Sequence, residues 1–393
     1  MEKSLFSNDF LISEEELEQK KISKSEQFLF SKLEYERKFG LDQYYQEITN
    51  FTYKTVFMPI SVEIAEAFMI KHESKVNEIL DFDGLKEKAI KKLLENPEFE
   101  QKLQEFEKEI DDLIKKQFAE KGCFVKLNFR SPKDVPLKFP KKEWLEMFEN
   151  ALNGVELKDH VGELVVFSQT LVEALHVRSG SETMELLIHS KRIYEDFKKN
   201  MNFGKENFNS VCLAFREFDH IAPRFPQYEF RGFVYNKNLN AITQYNDFYY
   251  SEKLVNQKEH FEKIITEFYE KEIKNQVHLS HFIIDFFLEP KENIEDFTIK
   301  VIELNPFFEA TGSVLFDWGK DFEILTKGPF EMRIVKEPKY KGYDLIVAYI
   351  PQVWFKVLWE KKGYENIYSK EEEKEKEEKE EKEKEKKKNC LIF

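Results

Sequence analysis

The 393-residue chain is 41% apolar and 15% aromatic, a composition that buries a core and excludes wholesale disorder. Its formal net charge of -14 excludes a protein built chiefly to grip a nucleic-acid backbone, which needs a basic face. Three cysteines without a CxxC pair exclude a disulfide framework and a thiolate zinc site. No uninterrupted apolar run reaches the roughly 18 residues of a membrane span.

The opening residues MEKSLFSNDF lack the basic and apolar regions of a secretory signal, so a cytoplasmic, reducing location is expected. Residues 1–43 are polar and weakly periodic, which predicts a helical or disordered extension. From Phe51 the run FTYKTVFMPIS reads as a short strand, followed by a helical stretch over Glu63–Ile70 and a turn at Asp81–Gly84. Residues 85–121 read as two helices divided at Asn96-Pro97. The second carries Phe99, Leu103, Phe106, Ile110, Leu113 and Ile114 at three- and four-residue spacing, an apolar stripe that faces a core.

Beyond Gly122 the chain turns β-rich. CFVKLNF, LVVF, SVCLAFREF, YEFRGFVYN, NAITQYNDF, HFIIDFFLE and FTIKVIELNPF all read as strands, with helices over about 183–199 and 254–275. Strands with hairpin-like neighbours and interspersed helices predict an α+β fold with a mostly antiparallel sheet. Residues 370–388 are entirely Glu and Lys, ten against nine, a solvated helix or linker.

Of 61 basic residues only eight are Arg, so an Arg marks a place where ammonium cannot replace the planar guanidinium fork. Arg216, Arg224 and Arg231 fall within sixteen residues. Several polar residues come in pairs two apart on strands: Lys126 with Asn128, Glu229 with Arg231, and Glu303 with Asn305. Side chains alternate along a strand, so each pair projects to one face. Asp285 sits among apolar neighbours in HFIIDFFL, and a hairpin around 290–296 would set it opposite Glu303 and Asn305.

Two carboxylates and an amide carbonyl are hard oxygen donors, the set that Mg²⁺ takes when nucleotide phosphates and water complete its shell. Lys126, Arg216 and Arg231 would supply charge around the same phosphates. Arg216, Glu217 and Phe218 follow an apolar strand, as a hinge pairing an adenine edge through its backbone would. The same spacing also describes the wet face of an antiparallel sheet. P-loop, Rossmann, HExxH and GxSxG patterns are absent.

The order of VKLNFRSPKDV, LAFREF, YEFRGFVYNKNLNAITQYNDFYY, FIIDFFLE and VIELNPFFEATGSVLFDW resembles the cell division cycle protein 123 family. KTVFMPIS, FDFDG and PFEMR extend the resemblance over about residues 50–335. It implies an ATP-grasp fold with a cleft between lobes, and an assembly chaperone for eukaryotic translation initiation factor 2 that uses ATP and Mg²⁺. On this basis Lys126, Asn128, Arg216, Glu217, Phe218, Arg231 and Asn305 are expected to bind ATP, and Asp285, Glu303 and Asn305 the metal. Residues 44–365 would form the body: a helical part over 44–121, then nucleotide-binding lobes over 122–365 with an insertion near 137–177. The chain departs from the family at Glu303, where Asp is usual, and at Gln244-Tyr245-Asn246, where Gln-Arg-Asp is usual.

The tail, 366–393, ends in Cys390-Leu391-Ile392-Phe393, which fits a C-a-a-X box and predicts prenylation of Cys390. One such chain gives weak, reversible membrane association. The combined expectation is an ATP-binding assembly factor rather than a turnover enzyme, with the gamma subunit of the initiation factor as partner and no direct nucleic acid. The alternatives are an ATP-grasp ligase that activates a carboxylate as an acyl phosphate, and a scaffold working through helix 97–120 without ATP.

Overall fold

Short runs of β-branched and aromatic residues, punctuated by Asn, Gly and Pro, fold into two sheets. The structure is a computed structural model that describes residues 32–75, 84–202, 208, 211–291, 296–337 and 343–364. The Asp81–Asp83 part of the expected turn, the Glu/Lys block and Cys390 lie outside the described residues. The chain divides into two compact units, Met1–Val135 with Leu171–Lys339, and Pro136–Thr170 with Tyr340–Phe393.

In the first unit, β1 (Thr55–Pro59), β2 (Cys123–Leu127), β3 (His176–Val177) and β4 (Cys212–Glu217) form an antiparallel sheet in the order β1-β4-β2-β3. The other sheet holds β5 (Glu229–Tyr235), β6 (Asn238–Gln244), β7 (Phe282–Pro290), β8 (Phe297–Asn305) and β9 (Glu331–Arg333), in the order β8-β7-β5-β6-β9. All its pairings are antiparallel except β6 with β9. The fold is therefore α+β with antiparallel sheets, as the pattern of strands predicts. Asn236 and Lys237, both at positive φ, make the two-residue loop between β5 and β6.

Strand β7 is buried along Phe282–Leu288, which explains why its sequence is apolar on both faces apart from Asp285 rather than alternating. Phe230, Phe282, Ile284 and Phe286 join Phe261, Ile265 and Tyr269, from the helix Lys258–Phe268 and the turn of π-helix after it, in one apolar core. Each such aromatic contributes about 2–3 kcal/mol through burial. The helix Leu41–Ile48 adds Leu41, Tyr44, Tyr45 and Ile48 to that core.

The helix Glu98–Gln117 buries Leu103, Phe106, Ile110 and Ile114, the stripe expected from its spacing. Gly180 opens the helix Gly180–His189, where a Cβ would stand 2.1 Å from the Glu107 carbonyl oxygen. Only glycine permits this approach.

Three expectations change. LVVF lies within the helix His160–Glu173, not a strand; four apolar residues cannot separate the two periods, and burial at 160, 163, 164, 167 and 170 has helical spacing. The helix read over 183–199 is two, broken at Ser190, whose hydroxyl donates to Asp134 Oδ1 at 2.6 Å and accepts from the Ile193 N–H. The extension read over 1–43 joins the core by its end, since Leu33, Phe39 and Leu41 are buried. Sparse apolar residues in a polar stretch gave no period to read.

In the second unit the helices Lys142–Ala151, His160–Glu173 and Gln352–Lys362 surround Trp354, which is fully buried. Its ring meets Phe148 and Phe167 edge-on at 5.7 and 5.4 Å, and its indole N–H donates to the Pro136 carbonyl at 2.9 Å. The apolar segment 343–359 forms two short helices separated near Pro351, and no described helix is long and apolar enough to cross a membrane.

Candidate functional site

The register of the five-stranded sheet aligns Glu303 on β8 with Asp285 on β7, Asp285 with Arg231 on β5, and Arg231 with Thr243 on β6. A bulge in the β7–β8 ladder just beyond Asp285 leaves this row intact. The Arg231 guanidinium donates Nε to Asp285 Oδ1 and Nη2 to Asp285 Oδ2, both at 2.8 Å, and Nη1 to the Gly312 carbonyl at 2.5 Å. Its other surface lies over the Tyr245 ring, 4.9 Å from the centroid. Arg231 and Asp285 are 7% and 2% exposed, so the pair is ionic in a dry setting.

Lys126 reaches from β2 to Glu303 Oε2 at 2.8 Å and ties the two sheets together. The Asn305 amide donates to Asp285 Oδ2 at 3.1 Å and to Glu303 Oε1 at 3.4 Å. These five side chains therefore converge. Tyr44 holds the end of β8 by accepting the Leu304 N–H at 2.9 Å.

Electrostatics separates the carboxyls. Burial alone would raise Glu303, but Lys126, Arg216 and Arg231 outweigh it and hold the carboxyl down at about 2. Burial raises Asp285, and the Arg231 guanidinium pulls it back; Asp285 in turn holds Arg231 protonated against its own burial. Glu229, two residues from Arg231, is pushed up to about 8 by burial and then by the Asp285 charge. It accepts from the Asn246 amide at 3.2 Å.

The remaining expected residues sit apart. Asn128 donates to Asp42 Oδ1 at 2.6 Å, and its carbonyl accepts the Leu41 N–H, so it fastens the helix Leu41–Ile48. Arg216 donates to Thr52 Oγ1 at 2.9 Å and lies over the Tyr53 ring. Glu217 is exposed, and its backbone N–H is taken by the Lys54 carbonyl. Phe218 stacks on His176 at 3.8 Å and 9°.

A cavity of about 740 Å³ opens onto Lys126, Arg231, Tyr245, Glu303 and Asn305. Asn128, Arg216, Glu217 and Phe218 do not line it. It is also lined by Arg37, Arg130, Lys133, Arg192 and Lys199, which reasoning from sequence missed, together with Glu36, Asp196 and Asp247. Four of the eight arginines line this one cavity, yet of the sequence cluster only Arg231 does; Arg224 is exposed. Rarity of Arg was the usable signal, and proximity in sequence was not. Arg130 and Lys133 also belong to the VKLNFRSPKDV string that supplied Lys126.

Among the described residues no group of three or more His, Cys, Asp and Glu is set to hold a metal. The Asp285 and Glu303 carboxylates both accept from the Asn305 amide N–H groups, which brings two hard oxygen donors beside one amide. Glu303 accepts from Lys126, and Tyr245 supplies the ring beneath Arg231.

Fold and site together define a mixed α+β protein that sets a carboxylate–guanidinium row into a cationic cavity. The D123 family model matches residues 166–344, a span containing Arg231, Asp285, Glu303 and Asn305. The chain is similar to this family over that span, which is under half of its length. A putative CDC123-like protein of Acanthamoeba polyphaga mimivirus is 28% identical over 209 residues, 52% of either chain. A translation initiation factor eIF2 assembly protein of Vanderwaltozyma polyspora is 27% identical over 256 residues, 60% of this chain and 59% of that one. The protein of the same name from Dictyostelium discoideum is 22% identical, over 65% of this chain and 58% of its own. The chain thus spans between half and three fifths of the length of these relatives. The solved structure of Cdc123 from Schizosaccharomyces pombe aligns with 77% of this chain and 98% of its own, at 19% identity and a TM-score of 0.49.

Proposed function

We propose that the cavity binds ATP with Mg²⁺ and that the chain, so loaded, is an assembly factor for translation initiation factor 2. It would bind the gamma subunit and promote its joining with the alpha subunit. The observation that carries the nucleotide part is the row Arg231–Asp285–Glu303, continued by Lys126, whose Arg231, Glu303 and Lys126 line a cavity also lined by Arg37, Arg130, Lys133, Arg192 and Lys199. In it, Asp285, Glu303 and Asn305 would hold the metal, which neutralises phosphate charge. The names of the matched relatives support the assembly part. The acidic balance of the chain favours a protein partner over RNA. The arrangement is read as an ATP-grasp site, with residues from both sheets of the first unit facing one ligand.

Titration calorimetry with Mg-ATP tests this reading, on wild type and on Asp285→Asn, with the gamma subunit added afterwards. The expected result is binding by wild type, affinity at least about 10-fold weaker in the variant, and gamma-subunit binding that depends on ATP. No heat with Mg-ATP in wild type overturns the nucleotide part. ATP binding with no gamma-subunit binding overturns the assembly part and favours a ligase.

A further inference from the structure

The helix Leu85–Glu95 lines no part of the cavity and packs chiefly on the helix Val62–Glu73. At about 100° per residue, Leu85, Ala89, Leu93, Ile90 and Leu94 share roughly half of its circumference. An apolar arc of that width ordinarily faces a core. Here only Ala89 is buried, while Ile90 and Leu94 are 41% and 79% exposed. These two are one turn apart, so they form a single open apolar spot.

Charge sets the same helix apart. Lys86, Lys88, Lys91 and Lys92 stand against Glu87 and Glu95, a net of +2 within a chain of net charge -14. Glu95 lies 3.7 Å from Lys91. The sequence holds a stretch of opposite character in residues 5–18, LFSNDFLISEEELE. Its first half is apolar, with Phe6 and Phe10 four residues apart, and it carries five acids between Asp9 and Glu18 and no basic residue.

The path of the chain allows the two to meet, all within the first unit. Lys199 donates to Glu36, and Arg37 donates to Asn200 Oδ1 at 3.0 Å, both on the helix Lys191–Asn202. That helix packs on Val62–Glu73, with the Phe197 and Phe68 rings 5.9 Å apart, and Val62–Glu73 packs on Leu85–Glu95. Packed helices lie about 8–10 Å apart, so the three steps cover roughly 30 Å. The thirteen residues 19–31 reach up to about 45 Å when extended.

We propose that residues 5–18 dock on the helix Leu85–Glu95 of the same chain, seating Phe6 and Phe10 against Ile90 and Leu94 and their acids among its lysines. Apolar burial drives such a contact, and opposite charge selects the occupant. An anionic bilayer suits the spot less, because the acidic balance of the whole chain opposes it. The contact is independent of the nucleotide reading.

The test uses the full chain, with cleavage by a Glu-specific protease within 14–18 and hydrogen exchange over 85–95. Wild type is compared with Ile90→Asp/Leu94→Asp and with Phe6→Ser/Phe10→Ser. Leu157→Asp, at a residue 55% exposed on the second unit, is the control. Cleavage should be about 10-fold faster in both double variants, and exchange about 10-fold faster in the second. Both protections should fade as salt rises, and the control should match wild type. The second variant leaves the helix itself unaltered, so it decides the matter even where the two aspartates unwind that helix. Cleavage and exchange equal in wild type and Phe6→Ser/Phe10→Ser overturn the proposal. Protection that grows with protein concentration assigns the spot to a second copy and overturns it. Protection gained only on adding anionic lipid vesicles assigns it to a membrane and overturns it likewise.

Discussion

Arg231 and Asp285 stand opposite each other on adjacent strands and share two hydrogen bonds of 2.8 Å, almost wholly out of water. Removing one partner strands the other as a buried charge, whereas removing both does not. Asp285→Ala should therefore destabilise the protein by about 3–5 kcal/mol. Asp285→Leu combined with Arg231→Met should cost much less than the two single changes summed. Urea unfolding of the four proteins reads this directly, and simple additivity would refute it.

The pH dependence of stability follows from two neighbouring carboxyls with opposite signs. Glu229 is raised to about 8, so its folded form favours the proton. Its contribution is complete below the ordinary carboxyl range and is lost as pH rises toward 8. Glu303, held down at about 2, contributes above the ordinary range and is lost as pH falls toward 2. Wild type should lose stability between pH 5 and 8, by at most about 1.4 kcal/mol per pH unit, and Glu229→Gln should not. Melting temperatures across that range decide it.

Gly180→Ala should cost about 1–3 kcal/mol, because its new methyl group would collide with the Glu107 carbonyl and push two helices apart. Alanine at Gly154, where nothing lies within 4 Å of the added carbon, should be neutral or stabilising. Thermal melts of the pair separate steric collision from a general effect of losing glycine.

Trp354→Ala in the second unit should cost about 3–5 kcal/mol, since it empties the space between Phe148 and Phe167. Limited proteolysis should then cut within 136–170 or 343–364, where wild type resists. Equal protection of the two proteins would contradict this packing.

Much of the first unit was legible because its signals are local. The strand spacing of HFIIDFFL and VIELNPF, separated by a turn, was enough to expect Asp285 beside Glu303 and Asn305. Single periods misled where they were short: LVVF has too few residues to distinguish a buried strand from the helical face it occupies. The cationic lining was not legible, because Arg37, Arg192 and Lys199 come from segments with no motif of their own, far along the chain from the VKLNFRSPKDV string that holds Lys133.

Sequence alone determined the α+β class, the strands that carry the acids, and the pairing of polar residues on one strand face. Those depend on side-chain alternation and turn chemistry, both readable over a few residues. Only the tertiary structure decided which charges neutralise one another. Coulomb attraction depends on distance and burial, and the partners of Arg231, Lys126 and Arg130 lie 54, 177 and 66 residues away along the chain. The acidic total of -14 therefore conceals a cavity lined by seven cations, and which of them pair with carboxylates is a property of the fold.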